Sequence, residues 1–433
     1  MSSHTVTTST SWFERLGNSF KGIIVGIILF IAGTILLWWN EGNFVRTQKN
    51  LNTAQNLTVE LENINTVDTS RKGELVHATG TAVTEDMLED PLFRVAVNAI
   101  RLNRDVEYYQ WIEDSKSEKK KELGGSEKTT TTYSYHKGWV TNPVDSSRFV
   151  KPGASEEHKN TVIADIIKGS WQAENVTFGA YRLPEFLVNS ISSSESFPVE
   201  LSEEVLATLN QQIVPSGLPV VIVDPALPAP ARNSLFDEEE EEENGAPTHA
   251  PAPSYQWVHV NGSSIYLGAS SASPAIGDVR VMFSLTKPKN EVSLIAKLVG
   301  DTFERHTNYS ALVMGTKSAE NMYESAHAAN SMLTWILRFV GVIIICLGLG
   351  MIVAPLSVLA SVIPLVGNIV GFGTGLFSMM FGLAWSLLII ALAWLFYRPL
   401  YGILLLAIAV GLIALFFTRK SSSKEVSKAS AEK

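Results

Sequence analysis

Three charged residues at apolar segments are the strongest candidates for a functional site in this sequence. Glu41 follows the first apolar run, Arg338 lies inside a later one, and Arg398 separates the last two. A charge in or beside lipid is costly unless it is paired or its side chain reaches the headgroup layer. Glu41 can therefore pair with Arg338 or Arg398 and fix the first helix to the others. Alternatively, both arginines bind lipid phosphates, which suit the guanidinium group.

A second candidate is the polar pair Asp278 and Arg280. The two residues alternate with Val279, Val281 and Phe283, and the period of two places these apolar side chains on one face of a β-strand. Asp278 and Arg280 could be catalytic. Two charges on the exposed face of a strand are, however, ordinary.

Other signs of chemistry are absent from the sequence. There is no P-loop, HExxH, GxSxG or CxxC pattern, the eight histidines are not at metal-ligand spacing, and the single cysteine rules out an intrachain disulfide. The net charge is −9 without a Lys- and Arg-rich run, which argues against a nucleic-acid partner. The sequence thus predicts no catalytic residue, cofactor or metal, and favours a protein that is not an enzyme.

The elements that position the charges are apolar runs long enough to cross about 30 Å of hydrocarbon as helices. The predicted spans are residues 22–39, 332–353, 376–397 and 400–417. Between the second and third lies the segment 354–375, uncharged but interrupted by prolines and glycines. We expect it to be interfacial or re-entrant, with a fifth span as the alternative.

The charges of the two tails predict the orientation of the chain. Lys and Arg outnumber acidic residues in the tails 1–21 and 418–433, and positive charge in short flanks stays cytoplasmic. Both tails are therefore expected inside and residues 45–330 outside. The predicted fold class is a multi-pass α-helical membrane protein of four spans. A large β-rich α+β domain is inserted between the first and second spans.

Strand-like patterns fill this domain, and one insertion interrupts it. Asp237 and six following glutamates lead into a proline-rich stretch, so residues 237–253 are expected to be disordered. A Ca²⁺ site there is the weaker alternative, because nothing in the sequence arranges the carboxylates as a cage. The predicted strands are residues 57–61, 75–83, 106–112, 129–140, 176–183, 220–223, 255–260, 263–267, 279–285 and 292–299. Helices are expected to start at Ser202 and near Ser318, the latter continuing into the second span.

Several short stretches in collinear order carry a family resemblance. They include residues 13–16, 40–42, 73–77, 106–111, 277–284 and 394–400. In these stretches the chain resembles the transmembrane protein 43 (LUMA) family over nearly its whole length. The resemblance implies four spans, a luminal domain and a scaffold that associates with itself. In eukaryotic members it also implies association with emerin and lamins in the endoplasmic reticulum and inner nuclear membrane. A bacterial member would lie in the cytoplasmic membrane with a periplasmic domain, and the acidic insertion departs from the eukaryotic pattern.

Three functions remain open at this point. The first is a membrane scaffold that self-associates and recruits membrane-protein partners through its extracytoplasmic domain. The second is a membrane-embedded enzyme acting on lipids or envelope precursors, in which Arg338 and Arg398 hold phosphate and Glu41 or Asp278 acts as base. The third is a channel or transporter, which the few polar residues within the spans disfavour.

Overall fold

The chain folds as two compact units, a β-rich unit and a helical unit. The computed structural model describes residues 3–150, 157–212 and 257–399. The β-rich unit contains Leu57–Ser117 and Thr131–Ala319 with the chain up to Val6, and the helical unit contains Thr7–Asn56, Glu118–Thr130 and the chain from Glu320 onward.

The helices differ greatly in length. They are α1 (Trp12–Leu57), α2 (Glu185–Val188), α3 (Glu203–Gln212), α4 (Ala319–Ala360) and α5 (Pro364–Tyr397). Within the described residues, α1, α4 and α5 are long and apolar enough to cross a membrane. The first helix extends well beyond the apolar run at both ends, and α4 begins next to Ser318, where a helix was expected. The fourth predicted span, 400–417, and the tail 418–433 lie outside the described residues.

The segment 354–375 is divided between two helices. The helix α4 continues through Pro355 to Ala360, and α5 begins at Pro364. Proline suits the first turn of a helix, where its missing N–H would have no intrahelical partner. The segment is therefore not a separate element, and its depth in the membrane stays a prediction.

The β-rich unit contains two large sheets and a small hairpin. The strands are β1 (Ser3–Thr10), β2 (Thr58–Glu60), β3 (Leu75–Thr84), β4 (Met87–Asp90), β5 (Val95–Asn98), β6 (Arg101–Lys121), β7 (Glu127–Val140), β8 (Gly169–Gln172), β9 (Val176–Phe178), β10 (Tyr181–Arg182), β11 (Glu195–Ser196), β12 (Val258–Asn261), β13 (Ser264–Leu267), β14 (Val279–Thr286), β15 (Lys289–Val299), β16 (Thr302–Glu304) and β17 (Ala311–Met314). The strands β4 and β5 form the hairpin. The strands β1, β6 and β7 extend into the helical unit.

One sheet closes into a ring. The strand β15 pairs with β3 along one edge and with β16 and β17 along the other, and β3 continues through β9 and β10 back to β16. Closure gives each ring strand a neighbour on both sides, which reduces the free edge that a strand at the border of an open sheet would expose. The interior is filled by apolar side chains such as Val76, Phe178, Tyr181 and Leu294, all fully buried.

The other sheet has the strand order β1-β7-β6-β14-β13-β12, with β8 and β11 added to β6 and β14. The alternation expected of β14 is present, because Val279, Val281 and Phe283 are buried in one apolar core. Most predicted strands agree with described ones. The predicted strand 176–183 is instead two antiparallel strands, β9 and β10, because the chain turns at Gly179, which has a φ of +61°. The predicted strand 220–223 lies outside the described residues, together with the insertion 237–253. The strands β1, β4, β5, β8, β11, β16 and β17 were not predicted. The first of these lies in the tail 1–21, which was expected to stand apart from the domain, but it pairs with β7.

Candidate functional site

In the structure, Glu41 of α1 and Arg338 of α4 form a bidentate ion pair. Arg338 Nε donates to Glu41 Oε1 at 2.6 Å and Nη2 donates to Oε2 at 2.7 Å. The side chain of Glu41 is only 2% exposed and that of Arg338 only 13%. Parallel N–H···O bonds of this kind are among the strongest polar contacts in proteins.

Two tryptophans enclose the ion pair. The indole N–H of Trp394 donates to Glu41 Oε2 at 2.8 Å. The guanidinium carbon of Arg338 lies 4.7 Å from the ring centroid of Trp335 and 5.7 Å from that of Trp394. An aromatic face attracts a cation through its quadrupole. The rings therefore stabilise the charge of Arg338 where water is scarce.

Side-chain amides join the same two helices around the ion pair. Asn40 Nδ2 donates to the carbonyl oxygen of Thr334 at 3.1 Å, and Asn330 Nδ2 donates to that of Phe44 at 3.2 Å. Asn40 and Asn330 are both buried. We call Glu41, Arg338, Trp394, Asn40 and Asn330 the interhelical clamp.

Arg398 lies outside this clamp. Its Nη2 donates to Gln48 Oε1 at 3.1 Å, and its guanidinium carbon lies 4.6 Å from the ring centroid of Phe44. The sequence had left either arginine as the partner of Glu41. The structure places Arg338 there and Arg398 about two helical turns of α1 away, at Gln48.

Glycines let α1 and α4 approach each other closely enough for these bonds. A Cβ added to Gly26 would lie 2.6 Å from the carbonyl oxygen of Gly348, and one added to Gly348 would lie 2.7 Å from that of Gly26. A Cβ on Gly341 would lie 2.5 Å from Leu37. Small residues at helix crossings are typical of membrane helix packing.

In the β-rich unit, Asp278 is buried rather than exposed on its strand. It precedes β14, and its Oδ2 accepts the hydroxyl of Tyr266 and the N–H of Ala275, the latter at 2.8 Å. A Cβ on Gly268 would collide with this carboxylate, so that position needs glycine. Burial raises the pKa of Asp278 and, with the neighbouring carboxylate, that of Tyr266.

Arg280 faces a different partner from Asp278. It pairs with Glu107 of β6, with Nε donating to Oε2 at 3.0 Å, and its guanidinium carbon lies 4.5 Å from the ring centroid of Trp139. The polar pair named from the sequence is thus two separate contacts. One carboxylate accepts a tyrosine hydroxyl, and one arginine cross-links two strands on a partly exposed face.

A fully buried ion pair in the β-rich unit was missed by sequence reasoning. Arg104 Nη1 lies 2.7 Å from Asp90 Oδ2, with side chains 1% and 0% exposed. The backbone N–H groups of Leu92 and Phe93 donate to Asp90 Oδ1. Burial raises the pKa of Asp90 despite the arginine. No local pattern marks these residues, because charged residues are common in soluble segments.

The described residues were also compared with the side-chain groupings that bind metals. Within residues 3–150, 157–212 and 257–399, no three His, Cys, Asp or Glu side chains are grouped to hold a metal ion.

The sequence profile described as transmembrane protein 43 matches residues 108–399, which include Arg338, Trp394 and Arg398. The chain belongs to the transmembrane protein 43 family.

Whole-length relatives agree with this membership. Transmembrane protein 43 of Rattus norvegicus is 29% identical over 419 residues, 95% of this chain and 94% of the relative. The Homo sapiens protein is 27% identical over the same share of each chain. The Drosophila melanogaster homologue is 24% identical over 408 residues, 91% of this chain and 93% of the relative. No solved structure matches the chain. The chain is an integral membrane protein of this family, as the resemblance implied.

Proposed function

We propose that the chain is a membrane scaffold that associates with itself and recruits other membrane proteins through its β-rich unit. The observation that carries this proposal is the engagement of Glu41 and Arg338 with each other. Both oxygens of the carboxylate accept bonds from Arg338, and Oε2 also accepts the indole N–H of Trp394. The charges that an enzyme would need for a lipid phosphate instead join two helices.

The geometry of Arg338 favours this structural role. A guanidinium binds phosphate best through two parallel N–H groups. The Nε and Nη2 edge of Arg338 is directed at Glu41, and aromatic rings lie close to its guanidinium. A scaffold gains from this arrangement, because partner-binding surfaces need a platform of fixed geometry.

The scaffold is proposed to span the membrane four times, with the fourth span at 400–417. The segments next to the first and last spans, residues 7–21 and 418–433, would be cytoplasmic. The β-rich unit would face the periplasm of a bacterium, or the lumen of the endoplasmic reticulum and inner nuclear membrane of a eukaryote. Support comes from the three apolar helices and from the excess of Lys and Arg in the tails.

Two clefts in the β-rich unit are the proposed recruiting surfaces. One of about 610 Å³ is lined by charged groups of both signs, including Glu174, Arg182 and Asp301. Another of about 470 Å³ includes Glu60 and Arg71. Mixed charge at a cleft suits a polar segment of a protein partner more than an acyl chain.

The test is the mass of the full-length protein in lipid nanodiscs, measured together with its bound lipid. The proposal expects particles of two or more copies that persist on dilution, and no lipid headgroup stoichiometrically bound at Arg338. A monomer that retains one lipid per chain, and loses it on Arg338→Gln, would instead support the lipid-enzyme alternative. The matched control is Arg305→Gln in the β-rich unit, whose guanidinium lies over Phe186.

A further inference from the structure

We infer that the β6–β7 tip, residues 118–130, lies at the membrane face where α1 begins and contacts the lipid headgroup layer there. These residues belong to the helical unit, whereas the remainder of both strands beyond them belongs to the β-rich unit. The inference concerns a stretch that the sequence had assigned, with residues 45–330, to the opposite side.

Arg15 connects the tip to the α4–α5 turn. Its Nη1 donates to the carbonyl oxygen of Gly125 and to Ser361 Oγ, the latter at 3.2 Å. Its Nη2 lies 3.4 Å from Glu127 Oε2, and the two side chains are 12% and 19% exposed. Arg15 belongs to the stretch 13–16, which carries part of the family resemblance. The proposed function assigns no role to Arg15.

Hydrogen bonds to backbone carbonyl oxygens define the same junction. The N–H of Gly124 donates to the carbonyl oxygen of Val362 at 3.1 Å, and Trp12 Nε1 donates to that of Val358 at 2.9 Å. Gly125 has a φ of +81°, and a Cβ there would lie 2.3 Å from the ring of Trp12. Only glycine combines that backbone conformation with such a close approach.

The junction and the interhelical clamp lie at opposite membrane faces. A rise of ~1.5 Å per residue puts Arg15 about 39 Å from Glu41 along α1, more than the roughly 30 Å of hydrocarbon. At the tip, Leu123 is 85% exposed and follows the lysines 119–121. An exposed leucine beside cations suits the boundary between acyl chains and phosphates.

The chain is long enough for this placement. It enters the β-rich unit from the other end of α1, at Leu57, and the 21 residues of β6 cover about 69 Å when extended. Lipid cannot solvate polar strand residues, so protein must shield β6 and β7 at membrane depth. Helices of the same chain contact the tip, for example where Lys121 Nζ donates to Asn368 Oδ1 at 3.2 Å. Under the proposed self-association, on which only this addition rests, a further copy of the chain would add to the shielding.

The experiment measures the sidedness of single cysteines in the full chain. In a Cys346→Ser background, Leu123→Cys and Glu122→Cys report on the tip. Asn18→Cys reports the face where α1 begins, and Ser270→Cys reports the β-rich unit. Each is treated with a membrane-impermeant maleimide in right-side-out and in inverted vesicles, with detergent-treated samples as the measure of full labelling.

The inference expects the two tip cysteines and Asn18→Cys to react only in inverted vesicles, and Ser270→Cys only in right-side-out vesicles. Reaction of the tip together with Ser270→Cys overturns it, as does protection of both tip positions from both sides. Mass on the same samples separates the two proposals. A monomer with the tip on the Asn18 side contradicts self-association and leaves the tip placement standing, whereas an oligomer with the tip on the Ser270 side does the reverse.

Discussion

Each unit contains a buried arginine paired with a carboxylate and flanked by two aromatic rings. In the helical unit Arg338 pairs with Glu41 near Trp335 and Trp394. In the β-rich unit Arg104 pairs with Asp90, and its guanidinium carbon lies 5.8 Å from the ring centroid of Phe93 and 5.3 Å from that of Trp171. Aromatic faces thus accompany a desolvated guanidinium in both surroundings.

The two pairs differ in what else binds the carboxylate. Asp90 also accepts two backbone N–H groups, from the turn that immediately follows it. Besides Arg338, the carboxylate of Glu41 binds the indole N–H of Trp394, which comes from a third helix. The first pair therefore fixes a local turn in a core, whereas the second joins helices that are distant in sequence.

The largest effect is expected from removing the arginine of the fully buried pair. Arg104→Met leaves the Asp90 carboxylate without its cation, and breaking a buried pair in this way costs about 3–5 kcal/mol. Urea unfolding followed by tryptophan fluorescence measures the loss. The control is Arg280→Met at the partly exposed pair with Glu107, where about 0–1 kcal/mol is expected. Equal losses in the two variants would contradict the role given to burial.

A smaller effect should follow from separating α1 and α4 without changing a charge. Gly348→Ala places a methyl group 2.7 Å from one backbone oxygen and 2.8 Å from the nitrogen of Phe30. Such overpacking costs about 1–3 kcal/mol. Gly350→Ala is the control, because its nearest neighbour would be Ser378 at 4.0 Å. Thermal unfolding in detergent should show a loss for the first variant only. A Gly348→Ala protein as stable as the control would show that the close approach does not support the interhelical clamp.

The smallest effect is a difference in pH dependence. Burial raises the pKa of Asp278 above its ordinary 3.8, so the folded state binds its proton more tightly than the unfolded chain. Its contribution to stability is present below 3.8 and is lost as pH rises through the raised value. As pH rises through that window, the melting temperature of the unchanged protein should therefore fall relative to that of the Asp278→Asn variant.

The control for this prediction has the opposite sign. Bonds from Asn175 lower the pKa of Asp86, so its contribution is present above 3.8 and is lost as pH falls through the lowered value. Asp86→Asn should remove that loss. Melting curves that stay parallel for Asp278→Asn and the unchanged protein over the whole range would refute the assignment for Asp278.

The sequence indicated Glu41 and Arg338 because a charge inside or beside an apolar run stands out. It also indicated β3, β14 and β15, whose alternating or continuous apolar residues are typical of strands. Residues Asp90 and Arg104 gave no such signal, since neither composition nor spacing distinguishes a buried charge from a solvated one in a soluble segment. Their burial depends on long-range packing.

Contacts between residues distant in sequence also explain the other differences between the predicted and the observed structure. The ring closes through pairings such as β10 with β16, which no local pattern specifies. Residues 354–375 contain two prolines, and the sequence alone did not distinguish a proline inside a helix from one that begins the next. The docking of the β6–β7 tip depends on Gly124 and Gly125, which in sequence indicate only a turn.

Charge reversal measures the pairing within the interhelical clamp most directly. Glu41→Arg and Arg338→Glu should each lower the yield of monodisperse protein after detergent extraction, because each leaves like charges facing one another. Together they should recover a large part of that yield, less the bond that Trp394 donates to Glu41. Glu41→Arg combined with Arg398→Glu should recover nothing, since Arg398 contacts Gln48. Recovery by Arg398→Glu, or none by Arg338→Glu, would contradict the pairing of Glu41 with Arg338.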